Sequence, residues 1–216
     1  MLSTIQRILG PFIGTTSIAS SSQPDIFEAY VMSLVLKAAQ EEGANISYEH
    51  RDGSPASSLV LRVSPGYIYS TAKNYTHALI RFDGRPALEA HTGIKITGKS
   101  GVLHEADVVV LEAAEAQNCR INSVSPRSSK VLIAVECKFY SSALQLHLAR
   151  GFVGLVSDLS AKDPFFVSNT NSNSVEKLLS HRVRHWEKDI CPTCRNNEVQ
   201  RLTFEFRTAF KNYKAR

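Results

Sequence analysis

Two charged residues interrupt an apolar run that is otherwise typical of a buried β-strand. The run is VLIAVECKFY, residues 131–140, and the charges are Glu136 and Lys138. Because side chains alternate along a strand, these two residues project from the same face, and their neighbours point to the other. The carboxylate and the ammonium group therefore share one surface, where both can act on the same molecule.

A second apolar strand, EADVVVLEA at residues 105–113, places Glu105 and Asp107 on one of its faces. If the two strands are neighbours, Asp107 lies beside Glu136 and Lys138. Converging carboxylates repel each other unless a cation lies between them, and hard oxygen ligands suit Mg²⁺ or Mn²⁺. Such an ion lowers the pKa of a bound water, and a lysine can orient that water and stabilise charge on a phosphate. This combination indicates phosphodiester hydrolysis.

The segment HEADVVV, followed in the chain by VECK at residues 135–138, resembles the D…ExK signature of the PD-(D/E)xK phosphodiesterase superfamily. The resemblance implies a restriction-endonuclease-like αβββαβ core. It implies that Asp107 and Glu136 hold Mg²⁺ and that Lys138 assists the attacking water. It also implies a glutamate on the first core helix that faces the site, and Glu28 is the matching residue. Ala106 stands where the family name motif has proline.

Other polar residues are accessory candidates by position. Glu105 is either an acid close to the metal or a surface residue, and the helix after the ExK strand carries Gln145, His147 and Arg150, one of which could lie near the scissile phosphate. Lys99, in the turn TGKSG, is a weak candidate for phosphate binding. Glu28 and Arg150 also fit a solvated helix surface, so both interpretations stay open for them.

A separate set of metal-ligand types lies near the C-terminus. In HRVRHWEKDICPTC the spacing is H-x3-H-x5-C-x2-C, formed by His181, His185, Cys191 and Cys194. Cysteine and histidine are the ligands of tetrahedral Zn²⁺ sites. Only one C-x2-C pair is present and the gap is short, so unligated thiols beside histidines are the favoured interpretation and zinc is the alternative.

The helices and strands that must position these residues are predicted from the spacing of apolar residues and from the residues that end helices and strands. Apolar spacing predicts a helix over residues 24–42, and a second helix over residues 142–159 precedes a strand at 164–169. Strands are predicted at ISYEH, SLVLRVSP, HALIRF, ALEAHTGIKIT, EADVVVLEA and KVLIAVECKFY, with a polar connection before the last. The order predicts an α/β fold with a mixed central sheet flanked by helices and an extra C-terminal helical segment.

Composition divides the chain into three predicted parts: an N-terminal amphipathic segment (1–23), a nuclease-like core (24–170) and a basic C-terminal extension (171–216). Residues 177–216 hold ten Lys and Arg against four acids, whereas the whole chain has a net charge of +5. This excess fits an anionic partner such as nucleic acid, and equally a solvated basic surface.

The sequence contains no apolar run of about 18 residues, so no membrane span is predicted. Four cysteines in 216 residues favour a cytoplasmic setting.

Together these features predict a divalent-metal-dependent nuclease that acts on DNA, with an endonuclease of restriction, defence or repair type as the expected form. The residues do not distinguish DNA from RNA, and a homodimer is an expectation of the resemblance. One alternative is a catalytically inactive nuclease-fold protein that binds nucleic acid or acts as a scaffold. Another is a small interaction protein stabilised by zinc.

Overall fold

The structure of the chain, a computed structural model, describes residues 5–6, 22–183, 185–191 and 197–216. Its centre is one sheet of seven strands that lie side by side in chain order. The strands are β1 (Asn45–His50), β2 (Thr76–Arg81), β3 (Leu88–Thr97), β4 (Leu103–Glu112), β5 (Val131–Lys138), β6 (Asp163–Ser168) and β7 (His185–Glu187). The helices are α1 (Gln23–Glu41), α2 (Ala113–Asn122), α3 (Leu146–Asp158), α4 (Asn173–Arg182) and α5 (Asn197–Lys214), with a short 3₁₀ turn at Ser128–Lys130.

The sheet is mixed. Strands β1 to β5 pair antiparallel, and β5, β6 and β7 pair parallel. Parallel neighbours need a crossover connection, and α3 and α4 supply the two that this order requires. The prediction of an α/β fold with a mixed sheet flanked by helices is confirmed.

Helix α1 begins where its sequence predicts. Ser22 caps it by accepting a hydrogen bond from the Asp25 backbone N–H, the Asp25 carboxylate bonds back to Ser22, and a proline stands in the first turn. Its apolar side packs with α5 on one face of the sheet, around Phe27 and Phe206. The other face is covered by α2, α3 and α4, in two further apolar clusters.

Three expectations about elements were wrong. The segment SLVLRVSP forms no strand: the Val60 and Arg62 N–H groups donate to the hydroxyls of Thr76 and Thr92, at 2.8 and 3.0 Å, in place of a regular backbone ladder. The polar connection before β5 begins with α2, whose Ala116 is buried. The C-terminal segment, predicted to be helical, also contains the three-residue strand β7.

Helix α5, expected within a basic extension, contributes to the main core. Its buried side chains lie in the same apolar cluster as those of α1. At the N-terminus Ile5 is fully buried, and apart from Ile5 and Gln6 the predicted amphipathic segment up to residue 21 lies outside the described residues. None of the helices within the described ranges has the length and apolar character needed to cross a membrane.

Candidate active site

Asp107 and Glu136 lie at the point where β4 and β5 stop pairing. The last paired residues are Val108 and Val135, so Asp107 and Glu136 are the next residues on the two adjacent strands. Asp107 is buried, with 9% of its surface exposed, and its Oδ2 accepts a hydrogen bond from the Cys137 backbone N–H at 2.6 Å. That bond fixes the Asp107 carboxylate against β5. The structure therefore brings together two acids that are 29 positions apart in the sequence.

Lys138 lies beside these two acids, on the same strand as Glu136. Its Nζ lies 2.5 Å from Glu136 Oε1, and each side chain is about one fifth exposed. Burial alone would lower the pKa of Lys138, but the charge and hydrogen bond of Glu136 outweigh it and raise that pKa. The lysine is therefore a fixed positive charge beside both carboxylates.

Glu28 on α1 and Glu105 on β4 belong to the same cluster. Burial, and then the charges of Asp107, Asp25 and Glu105, raise the pKa of Glu28 to about 8, against the opposing charge of Lys138. Burial and the charge of Glu136 raise the pKa of Asp107 to about 7, although the Cys137 N–H and Lys138 act in the opposite direction. The pKa of Glu105 is raised by the same two causes, burial first and then Glu136.

The carboxylate cluster, defined as Glu28, Glu105, Asp107 and Glu136, fits a hard divalent cation. It sets four carboxylates around Lys138, and burial, followed by the charges of neighbouring carboxylates, raises the pKa of Glu28 and of Asp107. A bound cation would offset both effects. Asp107 Oδ1 accepts no hydrogen bond from a described residue, so that oxygen is available as a ligand. No three ligand atoms of this cluster lie within 4.8 Å of one another among the described residues. Mg²⁺ suits such a site, because it is usually held by one or two carboxylates with waters completing its shell.

Strand β3 contributes two features that the sequence interpretation missed. Gly93 lies opposite Asp107, between the pairs Thr92–Val108 and Ile94–Ala106, and has a φ of +54°. Lys95 pairs across the strands with Glu105, and its charge opposes the rise in the Glu105 pKa. The register of β3 against β4 was the signal needed to find both, and a single strand does not carry it.

The remaining accessory candidates do not contact the carboxylate cluster. Gln145 occupies the N-cap position of α3 without making a capping bond, and its side chain is exposed. His147 and Arg150 are also exposed on α3. Lys99 is exposed in the turn between β3 and β4, where its backbone N–H donates to the Asp158 carbonyl at 2.9 Å. The turn is thus anchored to α3 and leads into a strand.

Among the described residues, the zinc candidates His181, His185 and Cys191 form no group of neighbouring ligand atoms. His185 is buried, with Nδ1 2.9 Å from Glu205 Oε2 and Nε2 3.4 Å from Asp163 Oδ1, whereas His181 is exposed. Cys191 is disulfide-bonded, so its sulfur is neither the thiolate that zinc requires nor the free thiol favoured above. Cys194 lies outside the described residues.

Five of the eight described basic residues in 177–216 are paired with acids. Arg207, Lys211 and Lys214 surround Glu42 at the end of α1, with nitrogen–oxygen distances of 2.8, 3.8 and 3.2 Å. Arg201 pairs with Glu187 and Lys188 with Glu176. Much of the positive charge therefore attaches α5 and β7 to the rest of the molecule.

The chemistry that this arrangement supports is polar attack on an anionic group. Hard ligands, a fixed ammonium group and acids with raised pKa values meet at one end of β4 and β5. Comparison of the chain with protein-family models, curated proteins and solved structures gives no match.

Proposed function

We propose that the chain is a divalent-metal-dependent nuclease that hydrolyses phosphodiester bonds of DNA, with endonuclease action as the expected form. The observation that carries the proposal is the convergence of Asp107, Glu136 and Lys138 where β4 and β5 separate, with Glu28 reaching the same cluster from α1. Two acids beside one lysine at a strand end are the residues that this chemistry needs.

The order of elements supports a restriction-endonuclease-like core as the finer fold. Helix α1 precedes the antiparallel strands β3, β4 and β5, with β1 and β2 between α1 and β3 and with α2 between β4 and β5. Helix α3 and the parallel strand β6 then follow. This is the αβββαβ order, to which α2, the outer strands, α4 and α5 are added.

Each residue of the site has a distinct role in the proposed reaction. A bound Mg²⁺ or Mn²⁺, held by Asp107 and Glu136, would supply an activated water and offset the negative charge of the phosphate. Lys138 orients the attacking water and stabilises the charge that develops on the phosphate oxygens. Glu28 accepts a hydrogen bond from water at the edge of the cluster. The water oxygen bonds to phosphorus, the bond to the 3′ oxygen breaks and that oxygen takes a proton, which leaves a 5′-phosphate and a 3′-hydroxyl.

Plasmid nicking in Mg²⁺ tests the proposal. Wild-type protein is compared with Asp107→Asn, Glu136→Gln and Lys138→Ala, and we expect each variant to lose a factor of about 10² or more in rate. The matched control is Glu112→Gln, which removes a half-exposed carboxylate at the other end of β4, where it pairs with Lys130 at 3.0 Å. The control should cleave at the wild-type rate.

Equal activity in the wild type and all three site variants would overturn the assignment. Salt-sensitive DNA binding by the wild type without metal-dependent cleavage would instead identify an inactive nuclease-fold protein. A single-stranded RNA of matched sequence, assayed in parallel, assigns the substrate between DNA and RNA.

A further inference from the structure

A second group of metal-ligand side chains is buried on strands β2 and β3. The β2–β3 register places His77 directly opposite His91, and Glu89 precedes His91 on the same face of β3. The two imidazole rings stack with their centroids 5.0 Å apart, and all three side chains are at most 4% exposed. The group lies on different strands from the carboxylate cluster.

The distances in this group are those of a coordination shell. His91 Nε2 lies 2.9 Å from Glu89 Oε2, His77 Nε2 lies 3.5 Å from the same oxygen, and the three atoms all fall within 4.8 Å of one another. Ligand atoms bound tetrahedrally at about 2.0–2.1 Å from Zn²⁺ are separated by roughly 3.3 Å. The two nitrogen–oxygen separations, 2.9 and 3.5 Å, bracket that value, so an ion could replace the hydrogen bond between His91 and Glu89 with little movement of these two contacts.

His77 Nε2 is the atom that points to a ligand. It is buried and makes no hydrogen bond to any residue that the structure describes. An unsatisfied polar atom in a protein interior is rare and costly. Its nearest carboxylate oxygens are those of Glu89 and, at 3.8 Å, Glu49 on β1. A cation between these atoms would satisfy His77 and give Glu49 the role of a fourth ligand.

The surroundings support the ligand role of Glu89. Arg120 donates to both of its oxygens at 2.7 Å, which orients the carboxylate. Oε2 also lies at hydrogen-bond distance from His91 Nε2, a contact that a bound ion would replace. Glu49, Glu89 and Arg120 also line a cavity of about 640 Å³ that opens to the surface. The cavity therefore reaches Glu49 and Glu89, two of the side chains that would hold the ion.

We propose that His77, Glu89 and His91 bind a divalent transition-metal ion of the Zn²⁺ type, with Glu49 as the fourth ligand. Two imidazoles select such an ion over Mg²⁺, which prefers oxygen ligands. The ion links β1, β2 and β3, so its role is structural. The proposal does not depend on nuclease activity.

Zinc retention by the full-length protein tests this site. Protein stripped with a chelator is equilibrated with Zn²⁺, and bound metal is measured by mass spectrometry. All samples carry Glu136→Gln, so that the carboxylate cluster is impaired as a competing site. We expect one Zn²⁺ per chain, and a loss of affinity on the order of 10²-fold or more in His77→Gln and in His91→Gln. The control His181→Gln, which alters an exposed histidine of the C-terminal set, should retain the ion.

Three results would overturn the proposal: no zinc in the parent protein, equal affinity in all variants, or loss of zinc in His181→Gln alone. If the His77 and His91 variants fail to fold, X-ray absorption at the zinc edge of the parent protein decides. Two imidazole ligands without sulfur support the site, and sulfur ligands or an all-oxygen shell contradict it.

Discussion

At the scale of single residues, the environment of Asp107 separates it from an ordinary strand-end acid. A solvated aspartate would titrate near its usual pKa, whereas burial and the neighbouring Glu136 raise this one to about 7. Its Oδ2 is nevertheless held by a backbone N–H. The site thus keeps a carboxylate in place where its charge is unfavourable without a counter-ion, as a metal site does.

Glu28 allows the free-energy cost of a charged carboxylate in this cluster to be measured, as a pH dependence of stability. Its pKa rises from 4.5 to about 8 in the folded protein, so the folded state binds the proton more tightly than the unfolded state. The stability associated with this group is full below pH 4.5 and is lost as the pH rises through about 8. In chelator, Glu28→Gln should therefore become more stable relative to wild type between pH 5 and pH 9, as measured by urea unfolding.

Glu41→Gln is the control for this prediction, because Glu41 lies on the same helix and pairs with Lys37 away from the cluster. It should not change the pH dependence. A stability difference between Glu28→Gln and wild type that is the same at both pH values would show that Glu28 does not carry the cost.

At the scale of elements, the conformation of β3 at Gly93 shapes the site. Gly93 has a left-handed φ opposite Asp107, and a Cβ there would meet the Ser64 carbonyl oxygen at 3.2 Å and Arg62 Cβ at 3.3 Å. Those atoms belong to the irregular segment that runs beside β3, where Gly66 forms a parallel bridge with Ile94. Glycine at this position allows that segment to pack closely where β4 presents Asp107.

Gly93→Ala should lower the free energy of unfolding by about 1–2 kcal/mol, since the left-handed conformation is unfavourable for a residue with a Cβ. It should also reduce plasmid nicking, because the strain falls opposite Asp107. Gly151→Ala is the matched control: its Cβ meets nothing within 4 Å on helix α3, so it should raise stability by about 0.5–1 kcal/mol. Urea unfolding measures the free energy of unfolding of both variants. A Gly93→Ala protein as stable as the wild type would contradict this account of β3.

At the scale of the whole molecule, α5 is a structural part of the core. Phe206 is fully buried with its ring 4.7 Å from that of Phe165 on β6, and Phe204 on the same helix is 57% exposed. Phe206→Ala should cost about 3–5 kcal/mol of unfolding free energy. Phe204→Ala should change it by less than about 0.5 kcal/mol. Similar losses in the two variants, or none in either, would show that α5 does not anchor the core.

The sequence predicted the elements whose patterns are local. The alternation in β4 and β5 and the capping residues of α1 were sufficient to place those elements. Helix α2 was missed because it is stabilised by tertiary contacts that a local sequence pattern does not show. One such contact is the ion pair between Glu115 and Arg127 at 2.6 Å. The segment SLVLRVSP has a strand pattern, but threonine hydroxyls take the place of a regular ladder.

In the candidate site, too, relations within one strand could be predicted from the sequence, whereas relations between strands could not. Glu136 and Lys138 share a strand, so their common face followed from alternation alone. Their proximity to Asp107 depended on an assumed neighbour relation between two strands, which the structure contains. His77 and His91 were not found, because only the register of β2 against β3 brings them together.

The central claim is that Asp107 and Glu136 form a divalent-metal site beside Lys138. Anomalous diffraction from a crystal soaked with Mn²⁺ tests it most directly. We expect one strong Mn²⁺ peak in contact with carboxylate oxygens of both residues, and its absence in Glu136→Gln crystals. Mn²⁺ bound elsewhere in the wild type, with no peak between Asp107 and Glu136, would contradict the claim.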